Sequence, residues 1–307
     1  MPWASHTQPD VLPRTEAGGG AAAAGIALTG ATGTVGRAVI AELAARGVRP
    51  LAIVRAAESA AALAGAADTV LADLDRPERL EHDLAGTRRL FMLTPLHPRQ
   101  DALQRRIVDA AGRAGVAHVV KLSALGADPD ARVAIHRQHG RGDAHLIASG
   151  MGYTCLRPNA FMQNAVQWQG SIARTGAITL PAGDARVSMI DVRDIAAVAA
   201  RVLTAPELSN QVHELTGPEA LSYAEVADCL SHAAGRTIRH RDVAPDEARR
   251  AMLSAGMPAW AVDARLELYA TYRAGAAQRT TTTVAELTGR PPRRFADFAA
   301  EFGPGLR

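Results

Sequence analysis

Lysine is almost absent from this 307-residue chain: it occurs once, at Lys121, and arginine supplies the other strongly basic side chains. Cysteine is nearly as scarce. Cys155 and Cys229 stand too far apart in sequence for a disulfide framework or for the spacing of metal ligands. Two isolated cysteines fit a reducing compartment, so we expect a cytoplasmic protein without a metal site.

Long apolar runs are missing as well. The longest, such as Ile195 to Val202, are interrupted by Arg or Asp well short of the roughly 20 residues that a membrane span needs, so we expect no membrane partner. The net charge of +3 comes from interspersed basic and acidic residues, which gives no nucleic-acid footprint. Residues 1–24 are rich in Pro, Gly and Ala and lack the pattern of a signal peptide, and we expect them to form a disordered leader.

The first half of the chain alternates short apolar runs with amphipathic helical patterns. This alternation predicts βαβ units and a parallel sheet that is covered on both faces. We therefore expect an α/β, Rossmann-type, doubly wound fold, with the dinucleotide-binding domain at residues 25–157. The predicted strands are Ile26 to Thr29, Pro50 to Val54, Thr69 to Ala72, Arg89 to Leu93, His118 to Leu122 and Tyr153 to Leu156.

Beyond Arg157 the pattern changes to longer helical segments at 223–235, 245–254 and 258–273. We expect residues 158–307 to form mainly a smaller α+β lobe that binds substrate at the carboxyl edge of the sheet. Stretches near 186–204 and 212–216 are expected to return to the first domain, so that the lobes interleave. The extended segments 187–191 and 212–216 could each add a strand to the sheet.

A glycine pattern follows the first predicted strand and opens a helix. In this context glycine permits a tight turn, lets backbone amides approach a pyrophosphate, and lets the helix pack closely on the strand. The helix N-terminus also favours negative charge. We therefore expect a nicotinamide dinucleotide to contact Gly30, Thr32, Gly33, Thr34, Val35 and Gly36.

The end of the second strand indicates which dinucleotide is preferred. Proteins that bind NAD place a carboxylate here, about 20 residues past the turn, to bond the ribose hydroxyls. This chain has Arg55, which could form a forked pair with the 2′-phosphate of NADP. A solvated surface arginine is the alternative. We expect NADP(H) as the cofactor rather than NAD(H).

Several further segments, spread over about residues 25 to 303, resemble those of one known family. They are Asp73-Leu74, Leu122-Ser123-Ala124-Leu125-Gly126, the run from Leu156 to Asn164, Asp191-Val192-Arg193-Asp194-Ile195 and Leu287 to Pro292. Together with the glycine spacing, they resemble the NmrA-like branch of the atypical short-chain dehydrogenase/reductases, which includes NADPH-dependent quinone reductases.

The resemblance implies roles for particular residues. Asp73 and Leu74 would border the adenine, and Thr94 and Pro95 would line the path to the nicotinamide. Pro158, Asn159 and Phe161 would shape the pocket between the lobes, and Met162 and Trp168 are expected to shape the substrate site with Phe161. Asp191 and Asp194 are interpreted as structural, either capping a helix or pairing with arginine.

Reductases of the larger superfamily usually donate a proton from a Tyr-x-x-x-Lys pair, which this chain lacks. Alternation along the fifth strand puts Lys121 and Ser123 on one face, where Ser123 could bond a substrate oxygen. His136 stands where many relatives have the tyrosine, and it could act as the acid, although an ordinary loop histidine is the alternative. The expected catalytic residues are thus Ser123, Lys121 and His136.

These residues favour an NADPH-dependent reductase of a small activated acceptor. Quinones, enones and imine-like compounds accept hydride with little acid assistance, so a redox-active or cationic substrate is expected. Two alternatives stay open at this point: an NADP(H)-binding regulator that does not turn over, and a redox-neutral isomerase or epimerase. A homodimer is a further possibility.

Overall fold

The computed structural model describes residues 25–72 and 77–306. The predicted leader, residues 1–24, and the predicted adenine contacts Asp73 and Leu74 lie outside the described residues. The strands are β1 (Ile26–Leu28), β2 (Leu51–Val54), β3 (Asp68–Leu71), β4 (Arg89–Met92), β5 (His118–Leu122), β6 (Gly152–Pro158), β7 (Ala177–Leu180), β8 (Arg186–Val187), β9 (Gln211–Leu215), β10 (Leu221–Ser222) and β11 (Arg239–Asp242).

Helices alternate with the first strands and dominate the second half. They are α1 (Thr34–Ala44), α2 (Ala57–Ala61), α3 (Pro77–Asp83), α4 (Gln100–Arg113), α5 (Ala134–Ala148), α6 (Gln169–Thr175), α7 (Val192–Thr204), α8 (Tyr223–Ala234), α9 (Pro245–Ser254), α10 (Ala259–Arg273), α11 (Thr283–Thr288) and α12 (Phe295–Phe302). Within the described ranges, no helix combines the length and apolarity needed to cross a membrane.

Seven strands form one sheet in the order β3-β2-β1-β4-β5-β6-β9. Every neighbouring pair in this sheet is parallel. The strand order reverses between β1 and β4, and ligands bind at such a switch point, outside the carboxyl ends of the strands. The predicted Rossmann-type fold is confirmed.

Each face of the large sheet is covered by helices. On one face α1, α7 and α11 pack together, and on the other α3, α4 and α5 do so. The first helix shows why: Val35, Val39, Ile40 and Leu43 recur at helical spacing, and all four are buried in the core under the sheet.

The second half builds its own core around α8, α10, α12 and the parallel pair β7 and β11. Residues 212–216 extend the large sheet as expected, through β9 beside β6. The matching expectation for residues 187–191 is wrong. Val187 pairs with Leu221 in a separate antiparallel ribbon of β8 and β10, and Ile190 forms only an isolated bridge to Phe161.

The return helix α7 is fixed at its start by two buried carboxylates. Asp191 accepts a hydrogen bond from the backbone amide of Arg193 over 2.8 Å, which caps the helix. Asp194 accepts from the backbone amide and the guanidinium of Arg293. The structural interpretation of both aspartates is confirmed, so neither is available for chemistry.

Candidate active site

A glycine-rich turn joins β1 to α1 at the carboxyl edge of the sheet. Gly30 has a φ of +65°, a left-handed conformation that favours glycine. The Gly33 amide donates to the Gly30 carbonyl over 3.1 Å, and Gly33 then begins α1 without a side-chain cap. The first N–H groups of α1 therefore have no partner within the helix, and the helix end favours an anion.

The later two glycines of the turn serve different purposes. A Cβ at Gly36 would lie 2.2 Å from the carbonyl oxygen of Gly30, so only glycine lets α1 approach the turn. A Cβ at Gly33 would meet that oxygen at 3.4 Å, an ordinary contact. The fold therefore requires Gly36, whereas the exposed Gly33 leaves room for a ligand to approach the backbone.

The other residues predicted for this turn differ in exposure. Thr32 is half-buried and Thr34 is exposed, so both hydroxyls are accessible. Val35 is buried in the core beneath the helix. Only the backbone of Val35 could reach a ligand.

Arg55 follows β2 directly, at the same edge of the sheet and one strand away from β1. Its side chain is exposed. Among residues 25–72 and 77–306 it makes no hydrogen bond or ion pair. Within those ranges its guanidinium has no competing partner for an anion near the turn.

A cavity of about 510 Å³ opens at this edge, between the sheet and the second core. Its volume lies within the usual range for small-molecule sites. Leu93, which packs against Gly30 of the turn, is part of the wall. The cavity is lined from the sheet side by Leu93, Thr94, Leu122, Ser123 and Pro158, and from α5 by Ile135, His136 and His139.

Thr94 lies just beyond β4 and faces the cavity. The side-chain amides of Gln100 and Gln104 each donate to its hydroxyl over 3.1 Å, so the hydroxyl is held in place. Pro95 is exposed and is not part of the cavity wall. The structure thus brings Thr94 to the site but leaves Pro95 at its outer edge.

Pro158 and Asn159 end β6 at the cavity. The Asn159 amide nitrogen donates to the Ser188 hydroxyl and to the Ala277 carbonyl, both over 2.8 Å. Its oxygen accepts from the backbone amide of Ala160. Asn159 therefore joins β6 to the second half of the chain and shapes the cavity by holding its walls together.

Of the three residues predicted to shape the substrate site, two line the cavity and one does not. Phe161 and Trp168 line the cavity, and Trp168 packs edge-on against Tyr223 with ring centroids 5.8 Å apart. Met162 is only 1% exposed within the second core and does not line the cavity. Met162 therefore supports the wall from behind.

Lys121 and Ser123 meet on one buried carboxylate. Lys121 Nζ lies 2.7 Å from Asp143 Oδ1, and the Ser123 hydroxyl donates to Asp143 Oδ2 over 2.9 Å. Arg157 Nε donates to the same Oδ2 over 3.0 Å. The hydroxyl hydrogen of Ser123 is used in its bond to Asp143, so Ser123 presents only an acceptor lone pair to the cavity. In this arrangement Ser123 cannot donate the expected hydrogen bond to a substrate oxygen.

Asp143 faces two cations in this cluster, the buried Lys121 and the partly exposed Arg157. Burial alone would raise the pKa of Asp143, but the attraction of Lys121 and Arg157 and the bond from Ser123 hold it below its usual range. Lys121 is fully buried, and its ammonium also donates to the His139 carbonyl over 3.3 Å. Lys121 does not line the cavity, so its side chain has no direct contact with that space.

His136 lies in the cavity wall, one turn before His139 on α5. Its ring sits over the backbone of Gly126, close enough that a Cβ there would come within 3.0 Å. Burial lowers the pKa of His136 below its usual range. Burial and the nearby Lys121 ammonium lower the pKa of His139 to about 3. Both rings are therefore uncharged at neutral pH.

The remaining wall was missed by sequence reasoning. It comes from α8 and α10 and carries Tyr223, Arg265, Leu268, Tyr269 and Tyr272. For α10, the sequence does contain a pattern that could have indicated this wall, because residues 265, 269 and 272 fall on one face of a helix. Nothing in the sequence indicates that this face lines the cavity opposite the end of β5, because that placement depends on how the second half of the chain packs.

Comparison with known proteins identifies the family. Residues 30–206, more than half of the chain, match a family described as NAD(P)H-binding. The chain is 41% identical over 275 residues to an NAD(P)H azoreductase of Xenophilus azovorans, covering 89% of this chain and 96% of that protein. This chain belongs to the NAD(P)H-binding family.

Two solved structures share the fold of this chain. The NADPH complex of the quinone oxidoreductase of Escherichia coli matches with a TM-score of 0.83 and 26% identity, over 90% of this chain and 99% of that one. The NADP(H) complex of a Citrobacter triphenylmethane reductase matches with a TM-score of 0.81 and 25% identity, over 91% and 99%. The resemblance to the NmrA-like branch is confirmed.

The residues present fit the dinucleotide that the NAD(P)H-binding family binds. The uncapped start of α1 and the open backbone at Gly33 suit a pyrophosphate. Arg55, which has no partner in the described part of the chain, lies one strand away at the same edge. The cavity begins at Leu93, beside Gly30, so a nicotinamide ring held from the turn would enter it.

The two glycines allow binding to be separated from folding. We expect Gly33→Val to abolish binding of NADPH and NADH while leaving stability unchanged, because the branched side chain would occupy space that the pyrophosphate needs. We expect Gly36→Ala to lower the free energy of unfolding by about 1 to 3 kcal/mol, because its Cβ overlaps the Gly30 carbonyl. Calorimetric titration and urea unfolding measure the two effects. Undiminished binding in Gly33→Val would remove the turn from the site.

Proposed function

We propose that this protein is an NADPH-dependent reductase that transfers hydride to a small activated acceptor such as a quinone, an enone or an imine-like compound. The observation that supports this proposal is the cavity of about 510 Å³ next to the glycine-rich turn, whose wall histidines have lowered pKa values and whose wall tyrosines have raised ones. Such a site favours acceptors that take hydride without acid assistance.

The cofactor preference rests on Arg55. This exposed guanidinium at the end of β2, which no described residue pairs, can form two parallel charge-assisted hydrogen bonds with a 2′-phosphate. No carboxylate occupies the neighbouring positions Ile53 and Val54 to bond the ribose hydroxyls of NAD. NADP(H) is therefore the preferred cofactor, with NAD(H) as the weaker ligand.

We expect Arg55→Asp to weaken NADPH binding by about 2 to 4 kcal/mol and NADH binding far less, because it removes the pair with the 2′-phosphate and adds a repelling carboxylate. Calorimetric titration of both cofactors measures the difference. Arg88→Asp is the matched control, since Arg88 precedes β4 at the opposite edge of the sheet and is also exposed. An equal loss for both cofactors in Arg55→Asp would contradict the preference for NADP(H).

Four side chains of this chain could be considered as the acid, and the surroundings of each argue against that role. Lys121 is committed to Asp143, and Tyr153, at the start of β6, lies at the edge away from the cavity. Burial raises the pKa of Tyr269 to about 12, so this tyrosine is a hydrogen-bond donor rather than an acid. The lowered pKa of His136 leaves that ring unprotonated at pH 7. The second proton must therefore come from water.

Bound NADPH would supply a hydride, which reduces the acceptor by two electrons and delivers one proton. The chain itself contributes position. The hydroxyl of Ser123, fixed by Asp143, offers an acceptor to an N–H or O–H group, and Phe161 and Trp168 provide flat apolar walls for a conjugated ring. These residues orient the acceptor without exchanging protons with it.

The relatives support this choice of acceptor. Their names state azoreductase, quinone oxidoreductase and triphenylmethane reductase activities. Azo groups, quinones and triphenylmethane cations are all conjugated electrophiles. Reduction is thus favoured over the two other functions left open by the sequence, regulation without turnover and redox-neutral isomerisation.

Steady-state consumption of NADPH tests the proposal. With a small panel of benzoquinones and naphthoquinones, we expect catalytic loss of the 340 nm absorbance of NADPH, with oxygen excluded so that the hydroquinone is not reoxidised. Gly33→Val provides a folded control that does not bind cofactor. Tight binding of NADPH with no oxidation by any acceptor would indicate a regulator instead.

We expect His136→Phe to change the turnover number for a quinone by less than about threefold and to leave the pH profile between pH 7 and 8 unchanged, because burial lowers the pKa of the ring and keeps it neutral there. His145→Phe, on the same helix, is the matched control. A loss of roughly 10²-fold, with folding verified by circular dichroism, would instead identify His136 as a general acid.

A further inference from the structure

One wall of the cavity concentrates hydrogen-bond donors. Arg265, Tyr269 and Tyr272 follow one another along the inner face of α10, and Tyr223 joins them from the first turn of α8. The other wall, from the sheet, α4 and α5, presents mainly apolar side chains together with two uncharged histidines and a few polar residues, Thr94, Gln100, Ser123 and Asn159. The amides of Gln100 and Asn159 are already bonded within the protein.

Arg265 is an unpaired cation in this wall. Two nearby arginines of the same lobe are neutralised, Arg249 by Asp263 and Arg273 by Asp242. Arg265 is half-buried, and among the residues that the structure describes it has neither a hydrogen bond nor a salt bridge. A guanidinium removed from bulk water without a partner is costly, so the position favours an anionic ligand.

The three tyrosine hydroxyls are unpaired in the same way. In the described part of the chain, none of Tyr223, Tyr269 and Tyr272 forms a hydrogen bond. Burial raises the pKa of each hydroxyl, although the nearby Arg265 opposes this effect. All three hydroxyls therefore stay protonated and can donate hydrogen bonds to an acceptor oxygen in the cavity.

The charge of the cavity has one sign. Among the described residues that line it there is no aspartate or glutamate, and Arg265 is the one permanently charged side chain. In a partly enclosed apolar site, this charge acts over a lower dielectric than in water. A cationic acceptor is repelled there, while a negatively charged group gains a partner.

We propose that Arg265 binds an anionic oxygen group of the acceptor, a carboxylate or a sulfonate, with the neighbouring tyrosine hydroxyls donating to the same group. The inference rests on the proposed reductase function and narrows it. The substrates are conjugated acceptors that carry a negative charge away from the reducible bond, rather than the cationic acceptors that the sequence also allowed.

Two quinones that differ mainly in the charge of one side group test this proposal. The acid 2-methyl-3-(2-carboxyethyl)-1,4-naphthoquinone and its methyl ester share one quinone ring, and the ethylene spacer separates the carboxyl group from that ring. We expect the wild-type protein to prefer the acid over the ester in kcat/KM by about tenfold or more, through a lower KM. We expect Arg265→Gln to remove this preference and Arg265→Lys to keep part of it.

Arg250→Gln is the control, because Arg250 is exposed on the adjacent helix α9 and does not line the cavity. It should leave the preference for the acid unchanged. Equal kcat/KM values for acid and ester in the wild-type protein, or a preference that survives Arg265→Gln, would overturn the inference.

Equilibrium binding separates this inference from the proposed function. The acid and the ester are titrated calorimetrically into the full chain in the presence of NADP⁺, which cannot reduce them. Tighter binding of the acid that depends on Arg265, without any NADPH oxidation, would support the anion site and contradict the reductase. Turnover of both quinones without an Arg265-dependent preference would contradict the anion site and leave the reductase intact.

Discussion

The buried carboxylate of Asp143 is the interaction on which the site depends. It receives Lys121 and Ser123 from the sheet at β5 and Arg157 from β6, so one side chain of α5 is tied to two neighbouring strands. A fully buried ammonium is tolerated only when it is paired, and removing one partner of such a cluster leaves an uncompensated charge. The position of α5 against the sheet, and with it the position of His136, follows from this cluster.

The same cluster decides what the site cannot do. In the larger superfamily a lysine lowers the pKa of a catalytic tyrosine, but here the single lysine is neutralised by Asp143 and does not reach the cavity. The tyrosines at the cavity lie on the opposite wall, on α8 and α10, and burial raises their pKa values. The lysine and the tyrosines are thus separated in space as well as in sequence.

Most of the fold could be predicted because its signals are local. Strands buried on both faces are short apolar runs. The turn from Gly30 to Gly36 is recognisable because a predicted strand precedes it and a predicted helix follows it. The segment 187–191 was misplaced because an extended apolar stretch has the same pattern in a large sheet and in a two-stranded ribbon. Met162 was expected at the substrate site together with Phe161. Neighbouring side chains can point in different directions, and here Phe161 faces the cavity while Met162 is buried in the second core.

The wall from α8 and α10 could not be predicted, because it depends on how two distant parts of the chain pack. Its importance follows from the chemistry of a site without an acid. Hydride addition gives the acceptor negative charge before water protonates it, and fixed donors stabilise such charge in a partly enclosed site. The tyrosine hydroxyls and the guanidinium of Arg265 hold the anionic group away from the reducible bond, and the positive charge of Arg265 also acts at longer range on the charge that develops there. The positive character of the cavity therefore favours both an anionic substrate and the charge that develops as it is reduced.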